Sequence, residues 1–230
     1  MSQGNGKAVK VVVASPCSDH VVAMWAHDYA RMLGHTIRNR PEIEICSMFR
    51  PGSCIPIQRE MLAREAVHLG WTHILWLDTD MRFPPDTLLR LLDRHKRIVS
   101  ANYVERRPPY SPIAFADLQT PDVRVFTEPG DTGLVEVQAV GFGVILMEMD
   151  VFRTVAEPWF AVAWDPKAKE FAGEDVYFCA KARDAGERIW VDHDLSQEIA
   201  HVGSHNFSMA EARQARELGM TRAEQPESVS

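Results

Sequence analysis

The sequence is short of cysteine, of positive charge and of long apolar runs. Its four cysteines, Cys17, Cys46, Cys54 and Cys179, are scattered without a CxxC pair. That spacing excludes a zinc finger and a secreted disulfide framework. The longest wholly apolar run covers residues 139–147, far short of the ~20 residues that cross a bilayer. The opening MSQGNGKAVK holds no apolar stretch, so no signal peptide is read there. Free thiols and no membrane span make a cytoplasmic protein the expectation. Net charge is −7, from 25 Lys and Arg against 32 Asp and Glu. Such a balance opposes a whole-surface grip on nucleic acid and leaves room for a local basic patch alone. What is present is ordinary globular composition, 46% hydrophobic and 25% charged over 230 residues, which excludes a disordered or fibrous chain. A domain of this length buries on the order of 70% of its unfolded surface and needs no disulfide staples.

Residues 9–15 (VKVVVAS) form a β-branched run that reads as a strand buried on both faces, closed by Pro16, Cys17 and Ser18. Apolar residues then recur at helical spacing over 19–34: Val22, Trp25, Tyr29, Met32 and Leu33. A second strand is expected over 43–49 and a second helix over 57–69, ended by Gly70. Residues 73–77 (HILWL) read as another buried strand, Pro84 and Pro85 open a short helix, and 98–104 reads as a fourth strand. This alternation is the signature of a doubly wound α/β sheet. Beyond residue 105 the pattern changes. Residues 106–129 are rich in proline and turn formers, and 135–149 is long, β-rich and interrupted by Gly141 and Gly143. A helix is expected over 174–186, a short strand over 189–191, and a last helix over 208–218 that Ser208 and Glu211 begin with a capping box. Residues 221–230 read as a flexible tail. There is no internal repeat.

The strongest chemical signal is LDTD, residues 77–80, at the carboxyl end of a hydrophobic strand. In an extended chain Asp78 and Asp80 project together while Thr79 points elsewhere. Adjacent carboxylates repel unless a cation joins them, and oxygen ligands of this kind suit Mg2+ or Mn2+. Open α/β sheets also bind ligands beyond the carboxyl ends of their strands. The plainer alternative is that one Asp caps the turn and the other is solvated. Glu174 and Asp175, after Gly173 at a helix start, read either as dipole and cap residues or as a catalytic carboxylate in a desolvating pocket. A histidine from the set His193, His201 and His205 is a candidate nitrogen ligand for the same cation; spacing does not choose among them.

Five segments in one order, LDTDMRFPPDTL, ANYVERRPPYSPI, AVGFGVILMEMDVF, GEDVYFCAKARDAG and IAHVG, resemble the GT-A glycosyltransferases, in particular their small, phage-type members. The likeness covers roughly residues 9–203. It implies an α/β fold: a single GT-A, Rossmann-like domain over residues 1–220 with a mostly parallel central sheet flanked by helices. The nucleotide-binding half would take about 8–105, and a mixed acceptor-side half about 106–220. It implies Mn2+ or Mg2+ and a nucleoside-diphosphate sugar donor, a UDP-sugar by family expectation. Pro16 and Cys17 would meet the nucleotide base, and Arg59, with Arg64 as the weaker candidate, would contact the nucleotide. Asp78 would touch the ribose or a metal-bound water, while Asp80 and His201 bind the metal. Gly141, Phe142 and Gly143 would line the sugar pocket, where missing side chains let the donor lie against backbone. Asp175 matches the base of inverting members, with Glu174 beside it; a merely orienting Asp175 would permit retention.

Arg106 and Arg107, with Tyr103 and Tyr110 nearby, read either as a site for phosphates and a stacked base or as a stiff surface loop. Tyr103, Arg106 and Arg107 are therefore candidate acceptor contacts. The resemblance implies a possible acceptor in DNA carrying hydroxylated bases, with a saccharide, lipid-linked or protein acceptor as the alternative, and host cytoplasm if the chain is phage-encoded. Two rivals remain. A haloacid-dehalogenase-type phosphatase has Thr or Val where this chain has Arg82, and carries its motif on the first strand. The other is a nucleotide-sugar-binding module without turnover.

Overall fold

A computed structural model describes residues 8–118, 123–166, 169–203 and 206–219. The first part of the chain runs β1 (Lys10–Cys17), α1 (Ala23–Asn39), β2 (Glu44–Pro51), α2 (Ile55–His68), β3 (His73–Leu77), β4 (Met81–Arg82), α3 (Thr87–Asp93) and β5 (Ile98–Ser100). It continues through β6 (Leu134–Val137), β7 (Val144–Glu148), α4 (Val151–Thr154), β8 (Ala163–Asp165), β9 (Glu170–Ala172) and α5 (Glu174–Asp184). Last come β10 (Ile189–Asp192), α6 (His193–Ser196), β11 (Ala200–Val202), β12 (Asn206–Phe207) and α7 (Met209–Glu217).

Seven strands form one sheet in the order β2-β1-β3-β7-β5-β10-β6. β2, β1 and β3 are parallel, as are β5 and β10, while β7 and β6 run against their neighbours. The expected α/β architecture, a mostly parallel central sheet flanked by helices, is what the chain adopts. Strands from both halves of the sequence interleave, because β7 lies between β3 and β5.

Alternation along β1 explains the layering. Val11 and Val13 face a core with Trp25 and Met32 of α1 and Leu88 and Leu91 of α3. Val12 and Ala14 face the other core, with Leu62, Ala63 and Ala66 of α2 and Phe178 of α5. All four β1 residues are fully buried, and each valine contributes ~1.5–3 kcal/mol by leaving water. In the second core Phe142, Phe152, Phe160 and Phe178 meet at centroid distances of 5.2–6.4 Å.

Several expectations need correction. β1 runs through Pro16 and Cys17 instead of ending before them. Its pairing with β3 stops at Ala14–Trp76, so the strand has a free side where a missing N–H is tolerated. α1 starts four residues later than expected and passes through Gly34 to Asn39; buried Met32 and Thr36 on either side outweigh the ~1 kcal/mol a mid-helix glycine costs. The expected fourth strand shrinks to Ile98–Ser100, and the long segment 135–149 divides into β6 and β7, which are not neighbours. Gly70 ends α2 as expected, with φ +73°, and Ser208 and Glu211 form the expected capping box. The β8–β9 hairpin and the small sheet β12-β11-β4 have no counterpart in the sequence reading. The expected tail, 221–230, lies outside the described residues.

Candidate active site

The small sheet builds the site. Beyond Leu77 the chain does not stay extended: Met81 N donates to Asp78 O at 3.2 Å and closes a turn over Asp78–Met81. Backbone bonds from three other elements hold this turn: Asp78 N to Gly143 O (3.0 Å), Val22 N to Thr79 O (3.4 Å) and Val202 N to Asp80 O (2.7 Å). β4 then pairs antiparallel with β11, His201 opposite Met81. A residue 121 positions away in sequence is thereby brought against Asp80.

The turn also separates the two aspartates, which corrects the expectation that they project together. Asp78 turns inward to Arg59 of α2, whose Nη2 lies 2.8 Å from its Oδ1. Asp80 turns to His201 and Arg106, its Oδ2 being 3.3 Å from His201 Nε2 and 2.9 Å from Arg106 Nη1. Burial pushes the Asp78 carboxyl up, Arg59 pulls it back and Asp80 adds to the rise, leaving it above its ordinary value. Burial also opposes ionisation of Asp80, but the imidazole and guanidinium outweigh it and hold that carboxyl low. The two differ in partner and are shifted in opposite directions.

Arg59 does not reach toward a nucleotide as expected. Its side chain is 2% exposed, and its Nε lies 3.1 Å from Glu174 Oε1 while Nη2 holds Asp78. Its guanidinium carbon sits 5.4 Å from the ring centres of Trp76 and Phe142. Arg59 is thus a buried cation joining the end of β3 to the start of α5. It occupies the apolar stripe of α2 with Leu62, Ala63 and Ala66, all buried. Helical spacing of 59, 62, 63 and 66 was the signal that would have placed it inside. Arg64 lies outside the site, on Glu60 at 2.9 Å and on Glu157.

Asp175 follows Glu174 in the first turn of α5. Its carboxyl is pushed up to about 6 by burial first, then by the charge of Glu174, against the pull of the Val176 N–H and Arg59. Oδ1 accepts that N–H at 2.8 Å. A Cβ at Gly173 would stand 2.7 Å from Oδ1, so a side chain there would displace the Asp175 carboxylate. Asp175 also acts electrostatically on Tyr103 and Arg59.

The glycine segment has a different role from the one expected. A Cβ at Gly141 would meet Tyr103 Oη at 2.6 Å, and one at Gly143 would meet the ring at 2.7 Å. Both glycines make room for Tyr103, whose Oη accepts the Gly143 N–H at 3.0 Å. Phe142 is 1% exposed in the aromatic core, not in the wall of the cleft beside Asp78 and Asp80. Tyr103, 7% exposed, is part of the cleft floor and not a stacking platform; its ring meets His201 edge-on at 5.3 Å. Arg107 turns away to Glu105 at 3.3 Å.

A cleft of about 370 Å3 opens on this cluster at the carboxyl end of β1 and β3, with Pro16, Cys17, Asp78, Asp80, Arg106 and His201 in its wall. Gln58, which the sequence reading missed, shapes it by donating to Cys17 O at 2.8 Å and to Arg50 O. A larger cavity of about 470 Å3 lies at the opposite, amino ends of β1 and β3, away from the carboxylates. His193 is held by Thr127 at 3.0 Å and is not part of the cleft; His205 lies outside the described residues.

His201 Nδ1 stands 2.9 Å from Val104 O. A carbonyl accepts only, so Nδ1 donates to Val104 O and Nε2 is the ring nitrogen turned to Asp80. Nε2 and an Asp80 oxygen thus face each other across 3.3 Å, where either a shared proton or a cation would join them. One carboxylate oxygen and one imidazole nitrogen suit Mg2+ or Mn2+, which take one or two protein ligands and leave places for phosphates and water. Two adjacent corners of an octahedron with bonds of ~2.1 Å are ~3.0 Å apart, close to the observed 3.3 Å. Among the described residues no three His, Cys, Asp or Glu side chains converge on one point, so the remaining ligands would come from elsewhere.

No protein-family model matches the chain, and no curated protein does. Solved structures similar to it include nucleotide-sugar transferases and glycosyltransferases. The crystal structure of A197 from STIV matches with a TM-score of 0.56 at 14% identity, over 85% of this chain and 86% of that one. The chain shares that fold. UDP-glucose pyrophosphorylase complexed with UDP-glucose matches at 0.46 and 9%, over 92% and 98% of the two chains. S. aureus TarS 1–349 matches at 0.43 and 13%, over 81% of this chain and 58% of that one. Among the described residues no helix is long and apolar enough to cross a membrane.

Proposed function

We propose that this chain is a metal-dependent GT-A glycosyltransferase that moves a sugar from a nucleoside-diphosphate sugar, a UDP-sugar by its resemblance, to an acceptor hydroxyl with inversion. The observation that carries the reading is His201 Nε2 facing Asp80 Oδ2 at 3.3 Å, in a cleft where an open α/β sheet binds its ligands.

Asp80 and His201 would hold Mn2+ or Mg2+, which supplies positive charge against the departing diphosphate. Arg106, 46% exposed at the same oxygen, offers a guanidinium suited to phosphate oxygens. Asp78, steadied by Arg59, accepts from the ribose, and Pro16 and Cys17 flank the base. Asp175 takes the acceptor proton as the hydroxyl attacks the anomeric carbon. With a pKa of about 6 it is ionised at neutral pH and still basic enough for the transfer. The acceptor under this reading is a hydroxylated base in DNA, with a saccharide, lipid-linked or protein hydroxyl as the alternative.

Incubation with a panel of UDP-sugars and Mn2+, against hydroxymethylated DNA and simple saccharides and read by mass spectrometry, tests the proposal. Metal-dependent release of UDP with a product heavier by one sugar is expected. Donor binding without release of UDP in any combination would replace it with a binding module. Phosphate release from a generic ester, with no sugar nucleotide needed, would replace it with a phosphatase.

A further inference from the structure

α1 carries cationic side chains that the catalytic reading leaves unused. His27, Arg31, His35 and Arg38 follow one another at intervals of four, four and three residues, which sets them in a row on one helix face. They line a groove of about 500 Å3 that Pro85 also borders. His27, Arg31 and Arg38 are exposed and His35 is half-buried. Among the described residues none of the four side chains has a hydrogen-bond or ion-pair partner.

Elsewhere the buried and half-buried carboxylates take up arginines: Arg59 on Asp78, Arg82 on Asp28, Arg94 on Asp192 and Arg97 on Glu187. Arg31 and Arg38 are not used this way. The one acid of α1, Asp28, is 3% exposed and held by Arg82. Asp86, next to Pro85, lies 3.8 Å from Arg90. A chain with net charge −7 thus keeps one helix face free of acid and positive.

The row spans eleven residue steps, about 16 Å at 1.5 Å per residue. One cationic or imidazole side chain stands at each turn of about 5.4 Å, so a strand laid along the row meets its charges one after another. Gly34, between Arg31 and Arg38, has nothing within 4 Å of the place its Cβ would occupy, so a backbone can lie close to the helix there. A concave single-file row fits a strand; a flat bilayer touches no groove floor, and one free phosphate covers a single turn. α1 also begins at the catalytic end, where Val22 N meets Thr79 O.

We propose that the α1 groove binds one strand of nucleic acid through its phosphates. The proposal stands independently of sugar transfer. Anisotropy of a labelled 20-nucleotide single strand, titrated with the full chain at 50–300 mM NaCl and without donor, tests it. Two arginine contacts at ~0.7 each give a log–log salt slope near −1.4 or steeper. Arg31→Ala with Arg38→Ala should remove about 1.4 of that slope and about 60-fold of affinity at 50 mM salt, leaving the melting temperature and UDP binding unchanged. Strand binding equal in the double variant and the parent would overturn it. So would binding to vesicles containing phosphatidylserine but not to the strand, or displacement of the strand by equimolar pyrophosphate.

Discussion

Replacing Arg59 by Met is the sharpest perturbation the site offers. The guanidinium is 2% exposed and sits between Asp78 and Glu174 at 2.8 and 3.1 Å. Removing it leaves two largely buried carboxylates facing each other with no cation. Breaking a buried pair in this way costs about 3–5 kcal/mol. For a domain of this size each kcal/mol lowers the melting temperature by ~2–4 °C, so the expected fall is about 6–20 °C. The loss depends on pH. Asp78 already lies above its ordinary value because of burial, and without Arg59 it rises further. A carboxyl raised in the fold binds its proton more tightly there, so stability drops as pH climbs through the folded value. Urea unfolding of both proteins at pH 5 and pH 8, followed by circular dichroism, measures this: the deficit should be larger at pH 8. Arg59→Lys keeps the charge but not the two-armed reach, and should fall between. A deficit under about 1 kcal/mol, or one equal at the two pH values, would refute the view of Arg59 as the cation that holds the site together.

Asp175→Asn should abolish transfer while preserving donor binding, a loss on the order of 100- to 10,000-fold for a general base; full activity would remove Asp175 from the mechanism. The same variant should be more stable than the parent at pH 8, by up to about 3 kcal/mol. Its carboxyl is raised from 3.8 to about 6 in the fold, a contribution present below pH 4 and lost as pH rises through 6; urea midpoints at pH 4 and pH 8 check it. Transfer rate should climb tenfold per pH unit up to about pH 6 and then level, because the base works deprotonated; a flat profile from pH 5 to 8 would count against it. Gly143→Ala should cost about 1–3 kcal/mol by overpacking, since its Cβ would stand 2.7 Å from the Tyr103 ring, and thermal melts would show it.

Strand and helix periodicity made most of the central sheet legible, because buried runs such as residues 73–77 admit one reading. The position of the DxD pair was legible because residue type and strand end coincide: Asp78 and Asp80 follow β3 directly, while Asp175 lies in the first turn of α5 as the helix start at 174 foretold. Pairing of His201 with Asp80 depends on a two-residue strand, Met81–Arg82, too short to leave a periodic trace. The same turn sends Asp78 and Asp80 to different partners. Arg59, Gly141 and Gly143 went astray for another reason. A charge suggests solvent and a glycine suggests open space, yet here the charge is buried between two acids and both glycines are filled by Tyr103. Helical spacing could have marked Arg59 as buried, but its partners Asp78 and Glu174, distant in sequence, leave no local signature.

The most direct measurement is calorimetric titration of UDP in the presence of Mn2+, into the parent chain and into Asp80→Asn and His201→Ala. The account predicts binding that chelation with EDTA removes, and that weakens tenfold or more in each variant. UDP affinity unchanged by EDTA, or equal in the parent and both variants, would contradict it.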